Sequence, residues 1–374
     1  MKNISILKSN ILFILHMPPP VHGASMVGKY IHDSAVINEA FECHYINLST
    51  ANDLTDIGRI SLRKIVKYIR LIRDIFIALK KIKPQLVYIT PNSCGGAFYK
   101  DFIVVMLLKM MGQKIVAHYH NKGVATKQEK RIDDFLYRIF FANLKVILLS
   151  EKLYDDVKKY VKRQDVLFCP NGIPKTEIND TSILDRENST PNILFLSNLL
   201  ESKGVFILLD ALRILKEQRY SFICYFVGGE TTEIDFSRFK LEVEKRGLNN
   251  TAIYLGTKYG AKKNKILDHS DIFVFPTYND CFPVVLLEAM QQKLPCISTD
   301  EGGIPDIIDD GKTGFIVEKK NVEQLADKIS YLIGHPDLCK EMGENGYKKF
   351  QNKYTLSIFE DRMKNILMEC CNEN

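Results

Sequence analysis

The chain of 374 residues, 46% hydrophobic and 26% charged with a net charge of +6, exceeds what one hydrophobic core holds and suits two domains of ordinary size. This composition excludes a disordered or fibrous protein, and no apolar run reaches the roughly 18 residues of a bilayer span; the longest, 102–111, is interrupted by Lys109. Nine cysteines without a CxxC pair, and no His/Cys cluster at ligand spacing, argue against a disulfide frame and against a metal site.

The first apolar run, ILFIL at 11–15, is followed by prolines rather than a small-residue cleavage site, so it is expected to be a buried strand and not a secretion signal. The segment after it, HMPPPVHGAS (16–25), contains Gly23, where a backbone without Cβ can come close to a phosphate. A plain turn explains the same glycine. A second strand is expected at 43–48. The stretch 61–83, SLRKIVKYIRLIRDIFIALKKIK, then alternates apolar and basic residues at helical spacing, with eight Lys and Arg from Arg63 to Lys83. Two readings stay open: a solvated helix whose apolar face packs on a sheet, or a helix whose basic face also meets an anionic membrane surface. The charge is uneven, because residues 1–180 hold 27 Lys and Arg against 16 Asp and Glu, and the remainder 24 against 29. A basic first half suggests an anionic partner there. No binding module or aromatic platform accompanies the charge, so nucleic acid is not expected.

Further strands of the first half are expected at 85–90, 114–119, 145–150 and 165–170. AHYHNKG (117–123) ends the fourth strand, and His118 and His120, two apart, share one face of it. A lone histidine is often structural. His120, where the loop begins, is the better candidate for chemistry, with His118 packed behind it. A polar linker is expected at 175–191. The pattern restarts with strands at 192–198, 221–229, 252–256, 271–277, 294–299 and 314–317, and closes with helices at 321–333, 337–350 and 355–371. The apolar runs are continuous, as in parallel strands covered on both faces. The expected domains are 1–174 and 192–354, with the last helix, about 355–374, returning to the first. In such sheets ligands sit beyond the carboxyl ends of the strands.

The most informative stretch is PTYNDCFPVVLLEAM (276–290). A strand ends at Phe275, a polar turn follows, and Pro283 suits the first position of a helix, where its missing N–H is no loss. The amides of Val284 and Val285 then point out of a helix start that favours a phosphate. Asp280 lies in the turn, and Glu288 sits one helical turn past Val284 on the same face. Two such carboxylates flanking an anion-binding helix start can grip the sugar hydroxyls on either side of a diphosphate. The plainer reading makes Asp280 a cap and Glu288 surface charge.

This stretch resembles the E-x7-E signature of glycosyltransferase family 4, the retaining GT-B enzymes, with Asp280 in place of the first glutamate and Pro283 in place of the usual glycine. FLSNLLESKG (195–204) resembles the G-R-x4-K-G element of that family; Lys203 and Gly204 match it, and Asn198 stands where an arginine is usual. FVGGE (226–230) and EGGIPDI (301–307) resemble two further turns, and the motifs follow family order over almost the whole chain. The resemblance implies a GT-B fold, two Rossmann-like parallel-sheet domains facing each other across a cleft. It implies a nucleotide-diphosphate-sugar donor, UDP-linked by family frequency, and a glycan or lipid-linked acceptor. Lys203 and Asn198 would then meet the diphosphate, together with the backbone of Phe282, Val284 and Val285. Glu288 would bind the ribose, Asp280 and His120 would face the transferred sugar, and Gly23, Gly229 and Gly303 would approach the donor. No cofactor and no metal are expected. A nucleotide-sugar epimerase or a non-catalytic sugar-binding protein of the same fold are the competing readings.

Overall fold

Unbroken runs of Val, Ile, Leu and Phe cannot leave one face to water, so they form sheets covered on both sides. The computed structural model describes residues 8–19, 23–49, 62–176 and 190–373, and in it these runs build two six-stranded sheets. The first contains β1 (Asn10–Leu15), β2 (Glu42–Asn47), β3 (Leu86–Ile89), β4 (Ile115–His118), β5 (Lys145–Leu148) and β6 (Val166–Phe168). The second contains β7 (Asn192–Leu196), β8 (Ile223–Val227), β9 (Ala252–Gly256), β10 (Ile272–Phe275), β11 (Cys296–Thr299) and β12 (Gly314–Val317). Every pairing is parallel, in the orders β2-β1-β3-β4-β5-β6 and β12-β11-β10-β7-β8-β9. The winding reverses at β1, which lies between β2 and β3, and at β7, which lies between β8 and β10. A crevice opens at the carboxyl ends of the strands at each reversal. All the expected strands are present, most of them shorter than the apolar runs that announce them.

The chain divides into unit one, residues 1–172 with 356–374, and unit two, residues 173–355. The last helix, Leu356–Asn372, is part of unit one: its Phe359, Met363 and Leu367 share a core with Phe13, Ile31 and Tyr88. Each such side chain, removed from water, contributes about 1.5–3 kcal/mol. Unit two centres on Phe195, whose ring lies 5.3 Å from that of Phe226 and 6.0 Å from that of Phe275. Most of the linker expected at 175–191 lies outside the described residues. The boundary between the units precedes it, because Ile173 N donates to Tyr354 O at 3.0 Å and Thr176 N to Gln291 Oε1 at 2.6 Å, both within unit two.

The basic helix runs from Leu62 to Ile82, and here the structure corrects the expected division into an apolar inner face and a basic outer one. Only Leu71, Ile75 and Leu79 are buried, while Leu62, Ile69 and Ile77 are more than half exposed. The helix has more apolar residues than the narrow face on the sheet can take.

Candidate active site

β7 and β10 are neighbours, with Ile193 opposite Ile272, so the loops leaving their carboxyl ends share one crevice. After β7 the chain passes Asn198 and forms a single 3-10 turn, Glu201–Lys203, closed by Gly204 at φ +82°. A Cβ at Gly204 would stand 2.2 Å from Pro276 O, so only glycine lets this loop close on the end of β10. Ser202 O completes the closure by accepting from Tyr278 N at 2.9 Å and Thr277 Oγ1 at 3.0 Å. The backbone thus delivers Lys203 to Asp280. Its Nζ lies 2.7 Å from Asp280 Oδ2 and donates to Asn279 O at 2.9 Å, with the side chains 20% and 18% exposed.

Asp280 is held from behind. Its Oδ1 accepts from Cys281 N at 2.8 Å, and its own N–H donates to Oε1 of the buried Glu301 at 3.3 Å. Glu301 Oε2 in turn pairs with Lys319 at 3.1 Å. Gly302, at φ +54°, would place a Cβ 2.5 Å from Asp280 O. Gly303 N–H donates to Cys281 O at 2.7 Å, so its amide braces the turn. Phe282 is buried with its ring 5.9 Å from that of Tyr354.

Pro283 is the cap of the following helix and not its first residue. Its backbone is extended at ψ 114°, its carbonyl accepts from Leu286 N at 3.2 Å, and the helix runs Val284–Gln291. Val284 and Val285, both partly exposed, therefore supply the first amides, which have no acceptor within a helix. On the same helix Glu288 Oε1 accepts from Lys263 Nζ at 2.7 Å, and its Oε2 is buried without a hydrogen-bond partner among the described residues. Asn198, at the position usual for arginine, has a structural duty: its Oδ1 accepts from Gly229 N at 3.0 Å. Gly228, at φ +156°, would bring a Cβ within 1.8 Å of Ser197 O. Lys263 and Glu301 were missed in the sequence. Lys263 sits in AKKNK, where nothing separates it from a solvated helix, whereas Glu301 at a strand end before two glycines carried a usable signal.

In unit one, β4 ends at His118, which is fully buried, with Nδ1 2.6 Å from Tyr88 Oη. Burial, and then the neighbouring His120, hold the His118 imidazole well below its ordinary range. The two rings are 4.2 Å apart, and His120 is partly buried at the start of the loop. That loop is fixed by Asp156, whose carboxylate accepts from the amides of Gly123, Val124 and Ala125 at 2.9, 3.1 and 2.9 Å. Asn121 joins it to the end of β3: its Oδ1 accepts from Ser93 N at 2.8 Å and its Nδ2 donates to Asn92 Oδ1 at 3.1 Å. Asn92 donates to the buried Asp101, whose carboxyl is raised by burial. No motif marks these residues. Gly23 opens the helix Gly23–Asp33, and a Cβ there would meet nothing within 4 Å. The glycine the packing needs is Gly28, whose Cβ would stand 1.9 Å from His16 O. Among the described residues no group of three or more His, Cys, Asp or Glu is placed to hold a metal ion.

Lys203 and Asp280 thus meet at the reversal of a six-stranded parallel sheet, just before the helix that starts at Val284, in a chain with a second sheet of the same kind. The fold and this site define a class: the chain has the two-sheet GT-B fold, and its second unit carries a domain of the glycosyl transferases group 1 type. Residues 176–349 match the family model described as glycosyl transferases group 1, and unit two carries that domain. The capsular polysaccharide biosynthesis glycosyltransferase CapM of Staphylococcus aureus is 26% identical over 204 residues, 52% of this chain and 52% of that protein. The match thus spans about half of that relative. Among solved structures, sucrose-phosphate synthase from Thermosynechococcus elongatus superposes with a TM-score of 0.74 at 16% identity, over 97% of this chain and 98% of that one. HepE of Anabaena in complex with UDP gives 0.73 at 16% identity, over 96% and 100%. At such identities the likeness is one of fold.

Proposed function

We propose that the chain is a retaining, family 4 glycosyltransferase that moves a sugar from a nucleotide-diphosphate-sugar, UDP-linked by preference, to a glycan or lipid-linked acceptor in surface polysaccharide synthesis. The observation that carries this reading is the Lys203 ammonium 2.7 Å from the Asp280 carboxylate, beside the first amides of the helix Val284–Gln291. A cation, a helix start and a hydroxyl acceptor in one crevice match the diphosphate and the sugar of such a donor. The choice of UDP is supported by HepE, which has been solved with UDP and with UDP-glucose. The polysaccharide acceptor is supported by the name of CapM.

A bound diphosphate would take over Lys203 from Asp280, freeing that carboxylate to accept hydrogen bonds from sugar hydroxyls. Glu288 would receive the ribose hydroxyls. As the bond from the anomeric carbon to the diphosphate oxygen breaks, charge builds on that oxygen, and Lys203 with the Val284 and Val285 amides stabilises it. The acceptor hydroxyl forms the new bond from the same face and passes its proton to the leaving phosphate oxygen, so the anomeric configuration is kept. The scheme uses no metal, since Lys203 and the helix start supply the positive charge.

The test is a screen of nucleotide-sugars with acceptor glycans in the presence of EDTA, with the anomeric configuration of the product read by proton NMR. Undiminished transfer with retention is expected. An inverted product, or activity abolished by EDTA, overturns the mechanism. Conversion of donor without acceptor would make the protein an epimerase, and tight donor binding without turnover would make it a binding protein.

A further inference from the structure

Water-facing helices normally present polar residues outward. Unit one departs from this in one place. Among the described residues, eleven of its twelve exposed large hydrophobic side chains lie on three helices, Leu62–Ile82, Gly95–Met110 and Arg131–Phe141. The helices are adjacent: Tyr68 Oη donates to Lys100 O at 2.6 Å and Tyr99 Oη to Asp133 Oδ1 at 2.6 Å. The exposed residues are also ordered. On the first helix Leu62, Ile65 and Ile69 recur at helical spacing, and on the second Ile103 and Met110, the latter 85% exposed, lie on one stripe. The first helix adds seven Lys or Arg against a single acid, Asp74. Arg63, Arg70 and Lys81 are exposed beside its apolar stripe.

We propose that this three-helix face docks unit one on an anionic lipid bilayer, with the apolar stripes entering the boundary between headgroups and acyl chains and the cations meeting lipid phosphates. None of the described helices is long and apolar enough to cross a membrane, so the helices lie along the surface. At 1.5 Å per residue the first covers about 30 Å of it. The charge decides against a second copy as the occupant. A symmetric dimer through this face would set the same cations against each other, whereas an anionic surface neutralises them.

Docking is measured on the full chain by cosedimentation with vesicles of phosphatidylcholine, with and without phosphatidylglycerol. Binding is expected only when phosphatidylglycerol is present, weakening as salt rises. Arg63→Gln, Arg70→Gln and Lys81→Gln together should lower the partition coefficient roughly a hundredfold. Ile69→Ser with Ile103→Ser should lower it at least about tenfold. All these residues are exposed, so melting temperatures and the thermal shift given by UDP should not move, and that shift keeps a failure of docking distinct from a failure of the donor site. Equal sedimentation with both vesicle types overturns the proposal. So does wild-type binding by the isoleucine pair, or a solution dimer that the same substitutions dissolve.

Discussion

At the reversal of unit two, the loop after β7 is fastened to the turn after β10 by main chain, with Gly204 against Pro276 and Ser202 O accepting two donors. At the carboxyl ends of the unit one strands the fastening is done by side chains. His16 N donates to Thr90 Oγ1 at 3.1 Å, and Asn92, Asn121 and Asp101 link the next loops. Both arrangements satisfy buried polar groups, but they leave different things over. A main-chain clamp leaves the charged side chains of Lys203 and Asp280 outside the fastening, paired with each other in the crevice. A side-chain clamp spends polar side chains on the fold, and unit one then displays its charge on the helix Leu62–Ile82.

The largest effect that would break this contrast is chemical. If Lys203 is reserved for the leaving diphosphate, Lys203→Ala should lower kcat about 10²–10³-fold, the range for removing one donor to developing charge, in a protein that remains folded by circular dichroism. Near-full turnover would mean that the clamp in unit two holds no catalytic charge.

The next effect concerns stability. Gly228→Ala forces a Cβ to within 1.8 Å of Ser197 O at φ +156°, and should cost about 3 kcal/mol through strain and clash. Gly23→Ala in unit one meets open space at the start of a helix and should change stability by less than about 1 kcal/mol. Urea denaturation of both variants measures the difference. A Gly23→Ala protein as damaged as Gly228→Ala would show that the glycine has a close neighbour after all.

The same contrast explains what the sequence disclosed. Continuous apolar runs announced the strands, and Lys203, Asp280 and Pro283 stood out because a main-chain clamp writes itself as glycine, proline and a lone charge at fixed spacing. The side-chain clamp of unit one has no such spelling. Asp156 lies in EKLYDDV and Asn121 in HNKG, and only the fold shows that one gathers three amides and the other bridges two loops. The outer face of the basic helix escaped for a different reason. Periodicity shows that a helix has an apolar side, but how much of that side a sheet covers depends on neighbours distant in the chain.

The smallest effect tests the interior of unit one through pH. His118 is fully buried against Tyr88 and held well below its ordinary range by burial and by His120, while the histidines of unit two, His269 and His335, are exposed. Below the ordinary value of 6.5, the unfolded chain binds a proton at His118 that the folded chain does not. Stability should therefore fall as pH falls, by about 1.4 kcal/mol per pH unit, until the lowered folded value is reached. The loss belongs to unit one, so the hydrogen-exchange protection factors of its peptides, taken relative to the intrinsic amide rate at each pH, should fall as pH drops below 6.5, with unit two lagging. His118→Gln, whose side-chain amide carries no titrating proton, should flatten that slope whatever its effect at neutral pH. A slope that survives the substitution would mean that another group in unit one is the one kept from its proton.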